Sequence, residues 1–237
     1  MPEFKKSYDF ANGEVLLFNK DLEWTSFDLV NRVRNTLFKL TGVKKLKVGH
    51  AGTLDPLATG LLILCTGKAT KQIETYQAEE KEYIATIKLG ATTPSYDLET
   101  EEDSQTDCSF VTEELLKTAL KKFVGEIEQV PPIFSAVKVK GKRAFDYARK
   151  GERLELKSRK IVIKDIELIS FDLPTAEIKV VCSKGTYIRS LARDIGEELK
   201  CGAYLTGLKR TRIGAYKVEN AMTVDDFMEN LNRFETN

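Results

Sequence analysis

The sequence predicts an α+β fold, and three observations support this prediction. Apolar residues recur every second position in some stretches and every third or fourth position in others, which are the periods of strands and helices. The two kinds of stretch do not alternate as they would in a doubly wound parallel sheet. The chain has 237 residues, 42% of them hydrophobic, so it is long enough to bury its own core. One large domain, or one domain with an appendage, is expected.

The first part of the chain predicts two strands and a helix. Residues 15–18 form a short apolar run that reads as a strand, and residues 61–65 favour a second one. Between them, Thr25 or Ser26 can cap a helix that ends at Gly42. The apolar positions of this helix have three- and four-residue spacing: Phe27, Val30, Val33, Leu37 and Leu40.

The second part mixes strands, loops and helices. Apolar and polar residues alternate over residues 83–89, which predicts a half-buried strand. Residues 97–107 carry six acids and no base, a pattern typical of a solvated, mobile loop. Thr112 is expected to cap a helix that ends near Gly125. Later segments predict a strand that runs into a turn (137–141), strands (160–169 and 177–182) and a helix (187–200).

Composition excludes several classes of protein. The chain has one histidine, too few for a paired-histidine zinc motif. Its four cysteines are far apart, which indicates free thiols in a reducing cytoplasm rather than a disulfide framework. No apolar stretch approaches the length of a membrane span, and the polar N-terminus does not resemble a signal peptide. We therefore expect a cytoplasmic protein without a membrane partner.

Residues 49–62 form the most unusual segment. Three glycines surround a single carboxylate, Asp55, and glycines allow another backbone or a ligand to approach closely. A functional site is one interpretation. The alternative is that Asp55 caps a helix that starts at Pro56, a common arrangement. Spacing alone favours the cap.

Basic residues are concentrated in three places although the net charge is only +1. Residues 138–160 contain ten bases and three acids, with Phe145 and Tyr147 among them. Smaller clusters lie at residues 44–47 and 209–212. If these clusters share a face, they could neutralise the phosphates of a nucleic acid. Ordinary solvated lysines explain each cluster equally well.

Four ordered segments carry a resemblance to a known family. Residues 49–62, 81–90, 130–151 and 185–196 resemble, in this order, the motifs of the bacterial tRNA pseudouridine synthase B family. The resemblance implies the pseudouridine synthase fold, a large mixed, mainly antiparallel sheet flanked by helices with a central catalytic cleft. It also implies one catalytic domain over residues 1–237 with a core at about 14–225. A complete C-terminal PUA-type RNA-binding domain is not expected.

The family reaction supplies roles for three residues. By resemblance, the chain isomerises uridine 55 in the TΨC loop of tRNA to pseudouridine, without a cofactor or metal. Asp55 is the essential carboxylate, Arg189 keeps it ionised, and Tyr83 stacks on the target uracil and is a candidate proton acceptor. Whether Asp55 attacks C1′, attacks C6 or assists deprotonation of the ribose stays open.

The same resemblance implies how substrate is held. A uridine inside a folded loop must be everted to reach a pocket, and His50 is the residue expected to contact the flipped nucleotide. Tyr187 is expected in the pocket wall. The other residues assigned to substrate binding are Lys20, Gly52, Thr53, Leu54 and Lys138.

One motif departs from the family pattern. Where the family has Lys-Pro-x-Gly-x-Thr-Ser, this chain has Asp21 and Glu23 in place of the proline and glycine. The sequence alone does not determine the shape of that turn.

Two other functions stay open at this stage. The chain could instead be an RNA-binding or tRNA-folding protein in which catalysis is secondary. Modification within a guide-RNA particle would require partner proteins. We expect a monomer that binds the tRNA TΨC stem-loop without an obligatory protein partner.

Overall fold

The structure, a computed structural model, describes residues 8–139, 141–152 and 154–235. Within this part of the chain, strands and helices are mixed as predicted. The strands are β1 (Val15–Lys20), β2 (Val48–His50), β3 (Ala58–Thr66), β4 (Lys81–Leu89), β5 (Ala91–Thr92), β6 (Ser104–Gln105), β7 (Gly125–Gln129), β8 (Lys138–Val139), β9 (Lys142–Arg143), β10 (Arg159–Asp172), β11 (Thr175–Cys182), β12 (Ala203–Ile213) and β13 (Tyr216–Lys217). The α-helices are α1 (Ser26–Thr41), α2 (Ile73–Ala78), α3 (Glu113–Lys121), α4 (Ala144–Ala148), α5 (Ile188–Glu198) and α6 (Val224–Glu235).

The α+β prediction is confirmed, with a sheet whose strand pairs are mainly antiparallel and with helices packed beside it. The chain divides into two compact units. Unit 1 comprises Met1–Tyr83 and Lys209–Asn237, and unit 2 comprises Ile84–Leu208.

Unit 1 is built around β3. This strand pairs with β1 from Val15 opposite Cys65 to Lys20 opposite Gly60. Its last three residues, 64–66, also pair with the short strand β2. Helix α6 packs beside β1, helix α1 packs beside β2 and α6, and a parallel bridge joins Phe18 to Met222. The apolar cluster under these helices includes Phe18, Leu29, Val33, Leu37, Leu62 and Phe227.

Helix α1 begins and ends where the sequence predicts. The Thr25 hydroxyl accepts a hydrogen bond from the Asp28 backbone N–H, and the Asp28 carboxylate accepts one from the Thr25 N–H, which forms a capping box. Gly42 ends the helix in the left-handed conformation. Its apolar face differs at one position, because Phe27 is 59% exposed and Leu29 is buried instead.

Unit 2 contains an antiparallel array in which β10 pairs with β11 on one side and with β7 on the other. Residues 84–89 show the predicted alternation of buried and half-buried side chains. Helix α3 has the predicted Thr112 cap and packs beside β10 and α5.

The prediction of a solvated loop over residues 97–107 is wrong in part. Ser104–Gln105 forms β6, which pairs with Ala91–Thr92. Asp97 is only 5% exposed, and Glu102 accepts hydrogen bonds from Lys88 and from the Tyr204 hydroxyl. These acids have cationic or hydroxyl partners far along the chain, so composition alone suggested more solvent exposure than the fold gives them.

All four cysteines are free thiols, as predicted. Among the helices in the described ranges, none combines the length and apolar character needed to cross a membrane.

Candidate active site

Asp55 lies in the turn between β2 and β3. The turn is fixed at both ends, because the Ala51 N–H donates to the Ile63 carbonyl and the Ala58 N–H donates to the Asp55 carbonyl. The Asp55 side chain is half-buried. The chain enters β3 directly after this turn and forms no helix there, so the interpretation of Asp55 as a helix cap is wrong.

Ser26 ties this turn to the first turn of α1. Its hydroxyl donates to the Leu54 carbonyl at 3.0 Å and accepts from the Leu54 N–H at 2.8 Å. Both residues are buried. The residue immediately before Asp55 is thus held by a pair of hydrogen bonds to a capped helix, which limits the movement of the Asp55 backbone.

The buried Lys20 side chain holds the neighbouring turn at residues 21–24 through backbone carbonyls. Its ammonium donates to the carbonyls of Asp21 (2.8 Å), Trp24 (2.6 Å) and Pro56 (3.4 Å), and the residue is 1% exposed. Burial lowers the pKa of Lys20 to about 8, while the negative charges of Asp21 and Asp55 oppose that decrease. Lys20 therefore lies within electrostatic reach of Asp55, but its amine is used to hold backbone.

The turn that departs from the family pattern keeps a glycine-like backbone. Glu23 occupies the family's glycine position, and its φ is +66°. Only glycine adopts this region without steric cost, and other residues lose about 1–2 kcal/mol there. The Glu23 N–H donates to the Pro56 carbonyl at 2.9 Å, which binds this turn to the residue after Asp55.

Arg210 is the principal site residue whose role the sequence did not reveal. Its guanidinium donates to the carbonyls of Leu61 (2.8 Å), Gly52 (3.1 Å) and Thr53 (3.5 Å), and the residue is 2% exposed. Sequence reasoning placed it in a basic surface cluster, and the structure corrects this. Gly60 permits the close strand contact, because a Cβ there would lie 2.3 Å from the Arg210 carbonyl oxygen.

The other arginine of that cluster also has acidic partners. Arg212 Nη1 lies 2.7 Å from Glu80 Oε1, and its Nε lies 3.8 Å from Glu82 Oε2. Two of the three bases in the cluster at residues 209–212 therefore have partners within the protein, while Lys209 is exposed.

His50 is the last residue of β2 and is half-buried. Burial lowers the pKa of its imidazole, a hydrogen bond with the Gly52 backbone raises it, and the positive charge of Arg210 lowers it further. The lowered pKa favours the neutral ring, which suits a contact residue. Tyr83 is 9% exposed and lies in β4, and Thr53 is exposed in the turn.

Arg189 is the second residue of α5 and is 4% exposed. Its Nη1 lies 3.4 Å from the Asp97 carboxylate and 3.4 Å from the Ser95 carbonyl, while its Nη2 donates to the Phe134 carbonyl at 3.0 Å. A buried guanidinium needs such partners, because an uncompensated charge in the interior is costly. Two separate segments, the loop that contains Ser95 and Asp97 and the segment around Phe134, therefore orient this side chain.

Asp97 is positioned by its own loop. Thr93 and Ser95 hydroxyls donate to its backbone carbonyl, and the Glu99 N–H donates to its carboxylate at 2.9 Å. These hydrogen bonds hold the Asp97 carboxylate in place independently of its ion pair with Arg189. Sequence reasoning missed this residue because it grouped Asp97 with the solvated acids that follow.

Tyr187 caps the same helix through its backbone. Its N–H donates to Gln129 Oε1 at 2.8 Å, and Gln129 Nε2 donates back to the Tyr187 carbonyl at 3.1 Å. One turn later, the Ser190 hydroxyl donates to the Val130 carbonyl at 2.8 Å. Helix α5 is thereby anchored to the segment after β7.

Lys138 is exposed at the start of a small hairpin of β8 and β9. Lys142 and Arg143 of β9 are also exposed, and the guanidiniums of Arg143 and Arg149 lie 5.6 and 5.2 Å from the Phe145 ring. Two other bases of the predicted patch, Lys140 and Arg153, lie outside the described residues. The hairpin presents exposed cations, and the half-buried Phe145 ring lies beside it at the start of α4, a combination typical of a nucleic-acid contact.

The predicted site residues fall into two groups. Unit 1 contains Asp55, Tyr83 and the substrate-binding residues Lys20, His50, Gly52, Thr53 and Leu54, whereas unit 2 contains Lys138, Tyr187 and Arg189. In the described part of the chain, no cluster of three or more His, Cys, Asp or Glu side chains is placed to hold a metal ion.

Comparison with known proteins adds the family. Residues 39–188 match the model of the N-terminal domain of TruB family pseudouridylate synthases, and residues 189–237 match that of the tRNA pseudouridylate synthase B C-terminal domain. A tRNA pseudouridine synthase B of Phocaeicola vulgatus is 59% identical over 227 residues, which cover 96% of this chain and 97% of that one. The protein of the same name from Bacteroides fragilis is 60% identical over 221 residues, or 93% and 95% of the two chains.

Solved structures of more distant proteins share the fold. A chain in a crystal structure of a Cbf5-Nop10-Gar1 complex matches with a TM-score of 0.73 and 28% identity. A chain of an H/ACA RNP bound to a substrate RNA containing 2′-deoxyuridine matches with a TM-score of 0.68 and 26% identity. This chain is covered to 95% and 96% in these matches but spans only 56% of each of those chains.

Proposed function

We propose, from the premise that this chain belongs to the TruB family and is a tRNA pseudouridine synthase, an isomerase, that its target is uridine 55 of the TΨC loop. The observation that carries the proposal is the fixed turn around Asp55. Ser26, Lys20, Glu23 and Arg210 all bond to its backbone. A single carboxylate on a loop so tightly restrained suits a reaction that needs one correctly placed anionic group.

The reaction requires no net change in composition. The C1′–N1 bond of uridine breaks, the uracil turns, a C1′–C5 bond forms, and the proton displaced from C5 is balanced by one gained at N1. No electron transfer or added group is involved, and we propose that no cofactor takes part. Attack of Asp55 on C1′, attack on C6 and assistance to deprotonation of the ribose all satisfy this balance.

Asp55, Arg189 and Tyr83 are proposed to act together on the everted nucleotide. In this proposal Arg189 supplies the positive charge that the family resemblance assigns to the Asp55 carboxylate. The Tyr83 ring stacks on the target uracil, and its hydroxyl accepts a proton. The orientation of Arg189 by Asp97, Ser95 and Phe134 supports this assignment, because a group so held is preorganised for one partner geometry.

Eversion of the uridine costs a few kcal/mol, which contacts to the opened loop must offset. His50 is proposed to contact the flipped nucleotide as a neutral ring, in agreement with its lowered pKa. Gly52, Thr53 and Leu54 supply the backbone of the pocket floor, and Tyr187 supplies part of its wall. Lys20 supports this pocket by donating hydrogen bonds to the carbonyls of Asp21 and Trp24 in the neighbouring turn.

The substrate is proposed to be the TΨC stem-loop, bound by a monomer in the cytoplasm without an obligatory protein partner. The exposed cations of the β8–β9 hairpin, Lys138 among them, support a contact to phosphates. We further propose that both units belong to one catalytic domain, whose core spans about residues 14–225.

The experiment that tests this function uses purified protein and an unmodified tRNA transcript. We expect pseudouridine at position 55 and nowhere else, without any additive. Modification at another position, or none at 55, would contradict the proposed target.

A second function, assistance to tRNA folding, is favoured by the exposed basic hairpin, because cations that bind backbone phosphates act without catalysis. The expected result is that the wild type and Asp55→Asn refold misfolded tRNA equally well, while Lys138→Glu refolds it poorly. If Asp55→Asn alone abolished refolding, a separate folding role would be ruled out.

A further inference from the structure

Ser135 carries a buried hydroxyl that has no hydrogen-bond partner among the described residues. The residue is only 4% exposed. A buried polar group without a partner lowers stability, and native proteins satisfy nearly all such groups, so each exception calls for an explanation. Surface exposure cannot explain this one.

The backbone around Ser135 is held on both sides. The carbonyl of the preceding residue, Phe134, accepts from Arg189 Nη2 at 3.0 Å. The carbonyl of Ser135 itself accepts from the Phe145 N–H at 3.1 Å, and the Val137 carbonyl accepts from the Ala144 N–H at 2.7 Å. The hydroxyl is therefore attached to a restrained segment, so its lack of a partner is not the result of a loose loop.

The position of Ser135 indicates what its partner is. It adjoins the carbonyl that orients Arg189, and it lies three residues before the exposed Lys138. Both residues are assigned to the substrate in the proposed function, on which this inference also rests. Ser135 therefore belongs to a segment that the proposed function places at the substrate.

We infer that the Ser135 hydroxyl is a substrate-binding group that donates a hydrogen bond to the everted nucleoside. The acceptor is a carbonyl oxygen of the uracil or the 2′-oxygen of its ribose. These acceptors are neutral, as is the hydroxyl that donates to them. On this inference, the bound nucleotide supplies the partner that the hydroxyl lacks among the described residues.

The inference makes two opposite predictions for Ser135→Ala. The variant removes an unsatisfied buried hydroxyl, so the free protein should unfold at the same temperature as the wild type or a higher one. Its affinity for the TΨC stem-loop should fall roughly five- to tenfold, the usual effect of losing one hydrogen bond. A residue with only a structural role would not combine unchanged stability with weaker binding.

Ser190→Ala is the matched control. Ser190 is also a buried serine of unit 2, but its hydroxyl donates to the Val130 carbonyl at 2.8 Å. This variant leaves that carbonyl without its donor, so its unfolding temperature should decrease. A lower unfolding temperature for Ser135→Ala, as for the control, would show that the Ser135 hydroxyl has a partner in the free protein and would overturn the inference.

Substrate analogues locate the acceptor. We compare wild type and Ser135→Ala for binding of stem-loops that contain 2-thiouridine, 4-thiouridine or 2′-deoxyuridine at the target position. The readout is affinity, which can be measured even for an analogue that does not react. The loss caused by Ser135→Ala should disappear with one analogue, which identifies the acceptor. A loss of the same size with all three, or no loss with uridine, would overturn the inference.

The proposed function is tested separately in the same assay. Wild-type protein must form pseudouridine in the uridine stem-loop, and Asp55→Asn must not. If these controls fail, the proposed function is wrong. If they succeed and Ser135→Ala binds and reacts like the wild type, only the role of Ser135 is wrong.

Discussion

Arg189 and Asp97 form a buried ion pair, with Nη1 and Oδ2 3.4 Å apart and side chains only 4% and 7% exposed. Such pairs contribute little net stability relative to apolar groups, but removal of one partner is strongly destabilising because the other charge stays buried. The pair therefore fits a role in orienting Arg189 better than a role in stabilising the fold.

Replacement of Asp97 tests this orientation. Asp97→Asn keeps the shape of the side chain but removes its charge, and we expect a decrease of about 3 kcal/mol in the free energy of unfolding. Turnover should fall much more than tRNA affinity, since Arg189 is proposed to act on the reacting group. Urea denaturation and single-turnover kinetics measure the two effects. Equal losses of turnover and affinity would instead assign Arg189 to phosphate binding.

Arg210 is predicted to position the turn that contains Asp55. Arg210→Met leaves the carbonyls of Gly52, Thr53 and Leu61 without this donor. A small displacement of a catalytic group can reduce the rate about a hundredfold, so kcat should decrease with little change in KM. The control is Arg212→Met, because Arg212 pairs with Glu80 and Glu82 and bonds none of these three carbonyls. A kcat for Arg210→Met equal to that of the control would refute the positioning role.

His50 is the single histidine of the chain, so its imidazole resonance in an NMR titration needs no assignment. We expect a pKa below the usual 6.5, because burial favours the neutral ring. The unfolded chain then binds more protons than the folded one below pH 6.5. His50 therefore contributes stability that is present above pH 6.5 and is lost as the pH falls below that value. A measured pKa above 6.5 would contradict the burial of the ring.

Lys20 predicts a second pH window. Its pKa is lowered from 10.5 to about 8 in the folded protein, so between these values the unfolded chain binds more protons. The contribution of Lys20 to stability should rise as the pH increases from about 8 to about 10.5. The measurement is the difference in unfolding free energy between wild type and Lys20→Met across this range. A difference that is constant with pH would show that Lys20 titrates normally.

The local parts of the fold follow from the sequence, and the distant contacts do not. Thr25 and Gly42 bound α1 because caps act on adjacent residues. The alternation in β4 likewise reflects the strand itself. Arg210, in contrast, has its carbonyl partners about 150 residues earlier, so nothing near it in the sequence distinguishes it from a surface arginine.

The candidate site likewise combines residues that the sequence indicates with contacts that only the fold reveals. The resemblance supplied Asp55, and the structure shows how its turn is held. Asp97 was missed because its cation comes from a helix more than 90 residues later. At Glu23 the sequence suggested an altered turn, but the backbone is left-handed there and the Glu23 N–H donates to the Pro56 carbonyl. The Lys20 ammonium holds the same turn through the carbonyls of Asp21 and Trp24.

The most direct test of the account is a single-turnover measurement of pseudouridine formation by wild type and Asp55→Asn with saturating protein and TΨC stem-loop. The account predicts that the variant binds the RNA with an affinity close to that of the wild type and forms no detectable pseudouridine. Pseudouridine formation by Asp55→Asn at a rate near that of the wild type would contradict it.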